Sequence, residues 1–156
     1  MGISKEIQQT NFRSENHKAM VNVIFSSNWL IERIKIFLER EDITHQQYNI
    51  LRILKGHGTP LSTLQIRERM IDKMSDTSRI VERLLKKHLA DKVVCTKDKR
   101  LVDVTITEKG MDVLARLDVN ISEMDSLAAG LNMEEAQTLN ELLDKMREKA
   151  TATSLM

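Results

Sequence analysis

The chain is poor in residues that break regular structure. It has one proline and five glycines in 156 residues, which argues against a loop-rich β fold and predicts a mostly helical protein. Its single cysteine, Cys95, excludes an internal disulfide framework and fits a reducing compartment. No apolar run approaches the roughly 18 residues that a membrane span needs, and no signal-peptide pattern opens the sequence. The start Met1-Gly2-Ile3-Ser4-Lys5-Glu6 lacks the hydroxyl residue that a myristoylation signal carries at its sixth position. Together these absences exclude secreted disulfide-stapled and membrane classes and predict a cytoplasmic protein.

What is present is an ordinary globular balance. Hydrophobic residues make up 41% of the chain and charged residues 30%, enough to bury one compact core with room for helical extensions. The net charge of +1 says little about partners, but its distribution says more. Residues 1–60 carry a balance of +2, residues 61–110 of +4 and residues 111–156 of −5. A basic block in the middle of a chain is the footprint of a phosphate-binding surface, although a solvated charged face gives the same excess.

From about Lys5 to Glu39 there is no glycine or proline, and Phe12, Met20, Val23, Ile24, Phe25, Ile31, Ile34 and Leu38 recur at three- and four-residue steps. The spacing predicts one long helix or two in tandem, with more apolar surface than a small core can cover. Thr44 and Gln47 form a capping box for a helix that stops at Gly56-His57-Gly58-Thr59-Pro60. Ser62 opens a short helix through Met70, with Leu64 and Ile66 inward. After a turn at residues 71–74, Ser75 or Asp76 caps a helix reaching about Leu89. Between Lys92 and Thr107 the period shortens to two. Val93-Val94-Cys95-Thr96 is β-prone, and Val102, Val104 and Ile106 alternate onto one face, with Lys97-Asp98-Lys99-Arg100 as a charged hairpin tip. Thr107 caps a helix that runs towards Leu127, and a last helix follows Asn132 to about Lys149.

The order from Ser62 to Ile106 is a helix-turn-helix followed by a β-hairpin wing, the layout in which the second helix lies in the DNA major groove. Within that helix Ile80, Val81, Leu84 and Leu85 form an apolar stripe, while Asp76, Arg79, Arg83, Lys86 and Lys87 lie opposite. Its first turn, Ser75-Asp76-Thr77-Ser78-Arg79, offers short polar side chains and one arginine able to bond guanine bidentately. Ser62 and Thr63, at the start of the preceding helix, complete this set of candidate DNA contacts. At the hairpin tip Lys97, Lys99 and Arg100 are candidates for the minor groove, with Asp98 orienting Arg100. An amphipathic surface helix and a charged, solubilising hairpin are the bland alternatives; their coincidence in one motif favours DNA.

The stretch from Thr44 to Gly110 resembles the MarR family of multiple-antibiotic-resistance-type regulators. Its residues are Thr44-His45-Gln46-Gln47-Tyr48-Asn49-Ile50-Leu51, Leu61-Ser62-Thr63-Leu64-Gln65-Ile66 and Ser75-Asp76-Thr77-Ser78-Arg79-Ile80-Val81-Glu82-Arg83-Leu84. Most specific is the wing, Asp98-Lys99-Arg100 followed by alternating strand residues and then Thr107-Glu108-Lys109-Gly110. The chain departs from the family pattern at His88, where glycine often closes the recognition helix. The resemblance implies a mainly α fold with a small β wing. Residues 1–43 would be an N-terminal dimerisation region, residues 44–107 a winged helix-turn-helix DNA-binding domain, and residues 108–156 C-terminal dimerisation helices. It further implies a homodimer on a palindromic double-stranded DNA operator, and a repressor released by a small phenolic or other effector. Phe25, Trp29 and Tyr48 are candidates to line the effector cleft, though aromatics at helical spacing are more often core.

Enzymatic chemistry has no convergent set of residues. His17, His45, His57 and His88 are dispersed, without His-Glu-x-x-His or Cys-x-x-Cys spacing. Zinc-responsive relatives would make His17, His45 or His57 ligands, but surface or helix-terminal histidines are the simpler reading, and no metal or cofactor is expected. The family's peroxide-sensing branch carries a reactive cysteine near the start of its first long helix, which this chain lacks; Cys95 reads as a small buried hydrophobe. Besides a regulator, the sequence admits a winged-helix module that binds another protein. Such a module has no need of Lys97, Lys99 and Arg100 beside a polar helix start.

Overall fold

The structure, a computed structural model, describes residues 2–94 and 102–152, with the side chains of 149–152 excepted. The chain divides into two compact units, residues 1–120 and residues 121–156. The first unit runs α1 (Ile3–Glu6), α2 (Glu15–Leu38), a 3-10 turn (Glu39–Glu41), α3 (His45–His57), α4 (Thr63–Arg69), α5 (Thr77–Lys86), β1 (Ala90–Val94), β2 (Val102–Ile106) and α6 (Glu108–Asp118). The second contains α7 (Ile121–Asp125), a 3-10 turn (Ser126–Ala128) and α8 (Met133–Ala152).

Capping residues set most of the boundaries. The stretch expected as one helix or two is divided at Ser14, whose hydroxyl accepts the His17 N–H at 3.1 Å and opens α2. At α3 the expected box is present: Thr44 Oγ1 accepts from Gln47 N at 3.2 Å, and Gln47 Oε1 accepts from Thr44 N at 3.1 Å. Ser62 and Gln65 repeat the device at α4, at 3.2 and 2.9 Å. Asp76, and not Ser75, caps α5, accepting from Arg79 N at 3.1 Å. In the second unit Asn132 and Glu135 close the same reciprocal pair, at 3.0 and 2.8 Å.

Several expectations are corrected. Leu64 does not face inward: it is 64% exposed, while Ile66 is fully buried. Two residues apart on a helix are about 200° apart, so a seven-residue helix cannot bury both on one face. Helix α5 stops at Lys86, short of Leu89, because Leu89 N bonds Leu84 O and His88 N bonds Leu85 O, both at 3.0 Å. This is a Schellman closure with His88 in the left-handed region at φ 57°. The first strand starts at Ala90, earlier than expected, and pairs antiparallel from Ala90 opposite Ile106 to Val94 opposite Val102. Val104 is buried, but Val102 is half exposed, so the alternating face is only partly covered. Helix α6 ends at Asp118, well before Leu127, and α8 continues to Ala152.

The core of the first unit is aliphatic. Leu38, Ile50, Leu51, Leu61, Ile66, Leu84 and Leu114 are fully shut from water. Leu61 exchanges backbone bonds with Val104 at 3.0 and 2.8 Å, tying the start of α4 to the sheet. The helix-turn-helix and the wing stem are therefore fixed to one another through backbone as well as packing. Among the described residues, no helix is long and apolar enough to cross a membrane.

Candidate nucleic-acid interface

The turn between α4 and α5 is held by side chains. Ile71 N donates to Asn49 Oδ1 at 2.9 Å, Met74 N donates to Asp72 Oδ1 at 3.1 Å, and the Ser75 hydroxyl donates to Asp72 Oδ2. The Ser75 hydroxyl first, and then the Met74 N–H, hold the Asp72 carboxyl below the usual carboxylate range. The turn thus delivers the chain to the Asp76 cap in one conformation.

Helix α5 then presents two unlike faces. Val81 and Leu84 are buried, and Ile80 and Leu85 half-buried. Ser78, Arg79, Arg83 and Lys86 are exposed, as a surface for an anionic partner requires. Ser62 and Thr63 lie half-buried at the start of α4, where the Ser62 hydroxyl serves the cap. Ser75 is half-buried and Asp76 exposed, each with its side chain bonded within the turn or helix. Thr77 is a correction. It is only 4% exposed, and its hydroxyl turns inward to the sulfur of Met70 at 3.3 Å, because the first helical turn needs a residue seated on the core. Lys97, Asp98, Lys99, Arg100 and Cys95 lie outside the described residues. The strands that carry the segment are described, with Val94 paired to Val102.

The three candidate effector aromatics sit on two helices of the first unit. Phe25 and Trp29 are 37% and 38% exposed on α2. Tyr48 is half-buried on α3, where its hydroxyl accepts from Arg52 Nε at 2.9 Å and its ring lies 5.0 Å from the guanidinium carbon. Arg52 in turn pairs with Asp118 at the end of α6. A cleft of about 620 Å³ in the first unit is lined by none of the three. It opens between the end of α2, the start of α3 and the last turn of α5, among Lys35, Glu39, Asp42, Arg83, Lys86 and Lys87. Lys87 bonds Asp42 there, at 3.0 Å to Oδ2. Sequence reading missed this cleft because its cations come from helices some fifty residues apart.

The histidines have local roles. His17 Nδ1 accepts from Arg13 N at 3.3 Å, and His57 Nδ1 lies 2.9 Å from the Thr59 hydroxyl. Among the described residues, no three His, Cys, Asp or Glu side chains are grouped to hold a metal ion.

No protein-family model matches the chain. Among curated proteins it is 36% identical over 73 residues to the HTH-type transcriptional repressor MdtR of Bacillus subtilis, a match spanning 47% of this chain and 46% of that repressor. It is 28% identical over 123 residues to the HTH-type transcriptional regulator YhbI of the same organism, covering 78% and 79% of the two chains. Among solved structures, an organohalide-sensing transcriptional regulator superposes with a TM-score of 0.78 at 20% identity, over 90% of this chain and 86% of its own. A mutant MarR of E. coli complexed with operator DNA gives 0.76 at 18% identity, over 88% and 99%. The resemblance carried by the helix-turn-helix and wing residues is therefore borne out at the level of the fold.

Proposed function

We propose that this chain, which has the winged helix-turn-helix fold of the MarR-type regulators, is a sequence-specific DNA-binding transcriptional regulator and not an enzyme. The observation that carries the reading is helix α5. Its inner face is locked to the core, its outer face exposes Ser78, Arg79, Arg83 and Lys86, and a side-chain-held turn aims its start. A helix of this kind fits the major groove, and the cationic sequence Lys97–Arg100 between the two strands is the candidate for the minor groove. The mutant MarR that shares this fold was solved on operator DNA.

The finer reading is a homodimeric, cytoplasmic repressor on a palindromic operator. Support for the dimer comes from α2, where Met20, Ile24, Ile31 and Ile36 are 41–58% exposed, and separately from α8, where Leu139, Leu142 and Met146 are. Apolar helix faces of this extent suit a second copy of the chain. An effector would fit the cleft beside α5. Its volume lies within the range of small-molecule sites, and its lysines and Arg83 favour an anionic ligand. The organohalide-sensing regulator has also been solved with 2,4-dichlorophenol bound.

The testing experiment is selection of genomic fragments by the full chain at low salt, beginning with DNA flanking its own gene. The expected result is one enriched, roughly palindromic site with half-site centres ~34–36 Å apart. Recovery of no enriched site would remove the regulator reading and leave the protein-binding winged helix in its place.

A further inference from the structure

Two large apolar side chains stand almost wholly in water in the turn that precedes α5. Met74 is 94% exposed and Ile71 is 86% exposed, the two highest values for large hydrophobics among the described residues. Single exposed apolar residues are ordinary on protein surfaces. These two differ in sharing one short turn whose backbone is fixed on both sides of them. Asn49 holds the N–H of Ile71, and Asp72 holds the N–H of Met74. Their presentation costs little further backbone entropy when something covers them.

The surroundings select the occupant. Arg67 and Arg69 on α4, Lys73 in the turn and Arg79 at the start of α5 are all exposed around the pair in sequence. Of the nearby carboxylates, Asp72 and Asp76 each accept a backbone N–H, at 3.1 Å in both cases. Glu68 is exposed. A partner must then be polyanionic at its rim and carry small apolar groups within. The DNA major groove answers that description, because the C5-methyl of thymine is the apolar group it displays between phosphate walls. The flexible, polarizable thioether of Met74 suits contact with a methyl whose position varies with local groove geometry.

We propose that Met74 and Ile71 are specificity-determining residues that pack against thymine C5-methyl groups beside the base steps read by Ser78 and Arg79. This rests on the DNA-binding reading given above. The turn enters the groove with the start of the helix it precedes, and thymine is distinguished there from cytosine without any hydrogen bond.

The test uses the full chain and its selected site. Affinity is measured for the wild type, Met74→Ala and Ile71→Ala, on the site and on versions in which one thymine at a time is replaced by deoxyuridine, which removes only the methyl. For the wild type, loss of one or two particular methyls should weaken binding about fourfold each, as expected for one buried methyl-sized group. On those same substituted sites Met74→Ala or Ile71→Ala should show no further loss, since the contact is already gone. Additive losses in the alanine variants, or a wild type indifferent to every deoxyuridine, would overturn the proposal while leaving the regulator reading intact. Failure to enrich any site removes both. The two side chains are so exposed that the alanine variants keep the fold, which circular dichroism checks.

Discussion

Gly110, in the first turn of α6, lies directly against the backbone carbonyl of Leu89. A β-carbon built on Gly110 would sit well inside contact distance of the Leu89 oxygen, 3.2 Å from its carbonyl carbon and 2.8 Å from Ile106 Cγ1. The approach is enforced by two further bonds: Thr107 N donates to that same oxygen at 3.2 Å, and the Thr107 hydroxyl donates to His88 O at 2.8 Å. Helix α6 is thereby pressed onto the end of α5 and the start of the wing. Gly110→Ala must push backbone away from backbone, and we expect it to cost about 3 kcal/mol, the upper range for overpacking. Urea unfolding should show a lower midpoint with an unchanged slope. An unchanged midpoint would mean that α6 is free to move outward.

His88 occupies the opposite situation. Its φ of 57° is one that glycine adopts without strain, and it closes the Schellman motif at the end of α5. The side chain is exposed. His88→Gly is therefore expected to stabilise the chain by about 0.5 to 1 kcal/mol, the relief of left-handed strain less the added freedom of the unfolded chain. A rise in Tm of a few degrees would register it. A fall would show that the imidazole contributes more than the strain removes.

The Arg52–Asp118 pair ties α3 to α6, with Lys55 Nζ also 3.4 Å from Asp118. The hydrogen bond from Arg52 is the main cause holding the Asp118 carboxyl below its ordinary value of 3.8, with the charges of Arg52 and Lys55 adding to it. A depressed carboxylate contributes stability that is complete above its unfolded value and disappears as pH falls through the folded one. In Asp118→Asn the acid limb below about pH 4 should flatten relative to wild type. With both side chains roughly a third exposed, the loss near neutral pH should stay within about 1 kcal/mol. Denaturation midpoints between pH 2 and 7 would show the difference; parallel curves would assign the acid sensitivity elsewhere.

How far the fold could be read in advance follows from the range over which each signal acts. Thr44 with Gln47, Gly58 after α3 and Thr107 before α6 are contacts within a few residues, and each boundary fell where the residue types placed it. Ser14 was overlooked because an apolar recurrence ran through it, yet its hydroxyl takes the backbone bond that starts α2. At Thr77 polarity pointed to a groove contact, whereas Met70 seven residues earlier supplies an inward partner that no local pattern reveals. The cleft between α2, α3 and α5 depends on tertiary placement alone. The polarity of α5 was legible in part: the same periodicity that buries Val81 and Leu84 must expose Arg79, Arg83 and Lys86, whereas Lys87, expected beside them, is half-buried and paired with Asp42.

Arg79 and Lys86 sit on that same exposed face, near opposite ends of α5, and should fail differently. A bidentate arginine–guanine contact near the start of the helix discriminates between bases by about 1–3 kcal/mol. Arg79→Ala is thus expected to weaken the selected site by roughly ten- to a hundredfold while affecting unrelated DNA much less. Arg100→Ala, at the wing, should likewise weaken the selected site strongly. On the proposed reading Lys86, further along the helix, would meet phosphate alone. Lys86→Ala should weaken selected and unrelated DNA alike and lower the slope of log affinity against log salt by about one. Titrations at four or five salt concentrations on both DNAs distinguish the two behaviours. If Arg79→Ala instead lowered both affinities equally, the start of α5 would be gripping the backbone, and the reading of bases would have to lie in the turn or the wing.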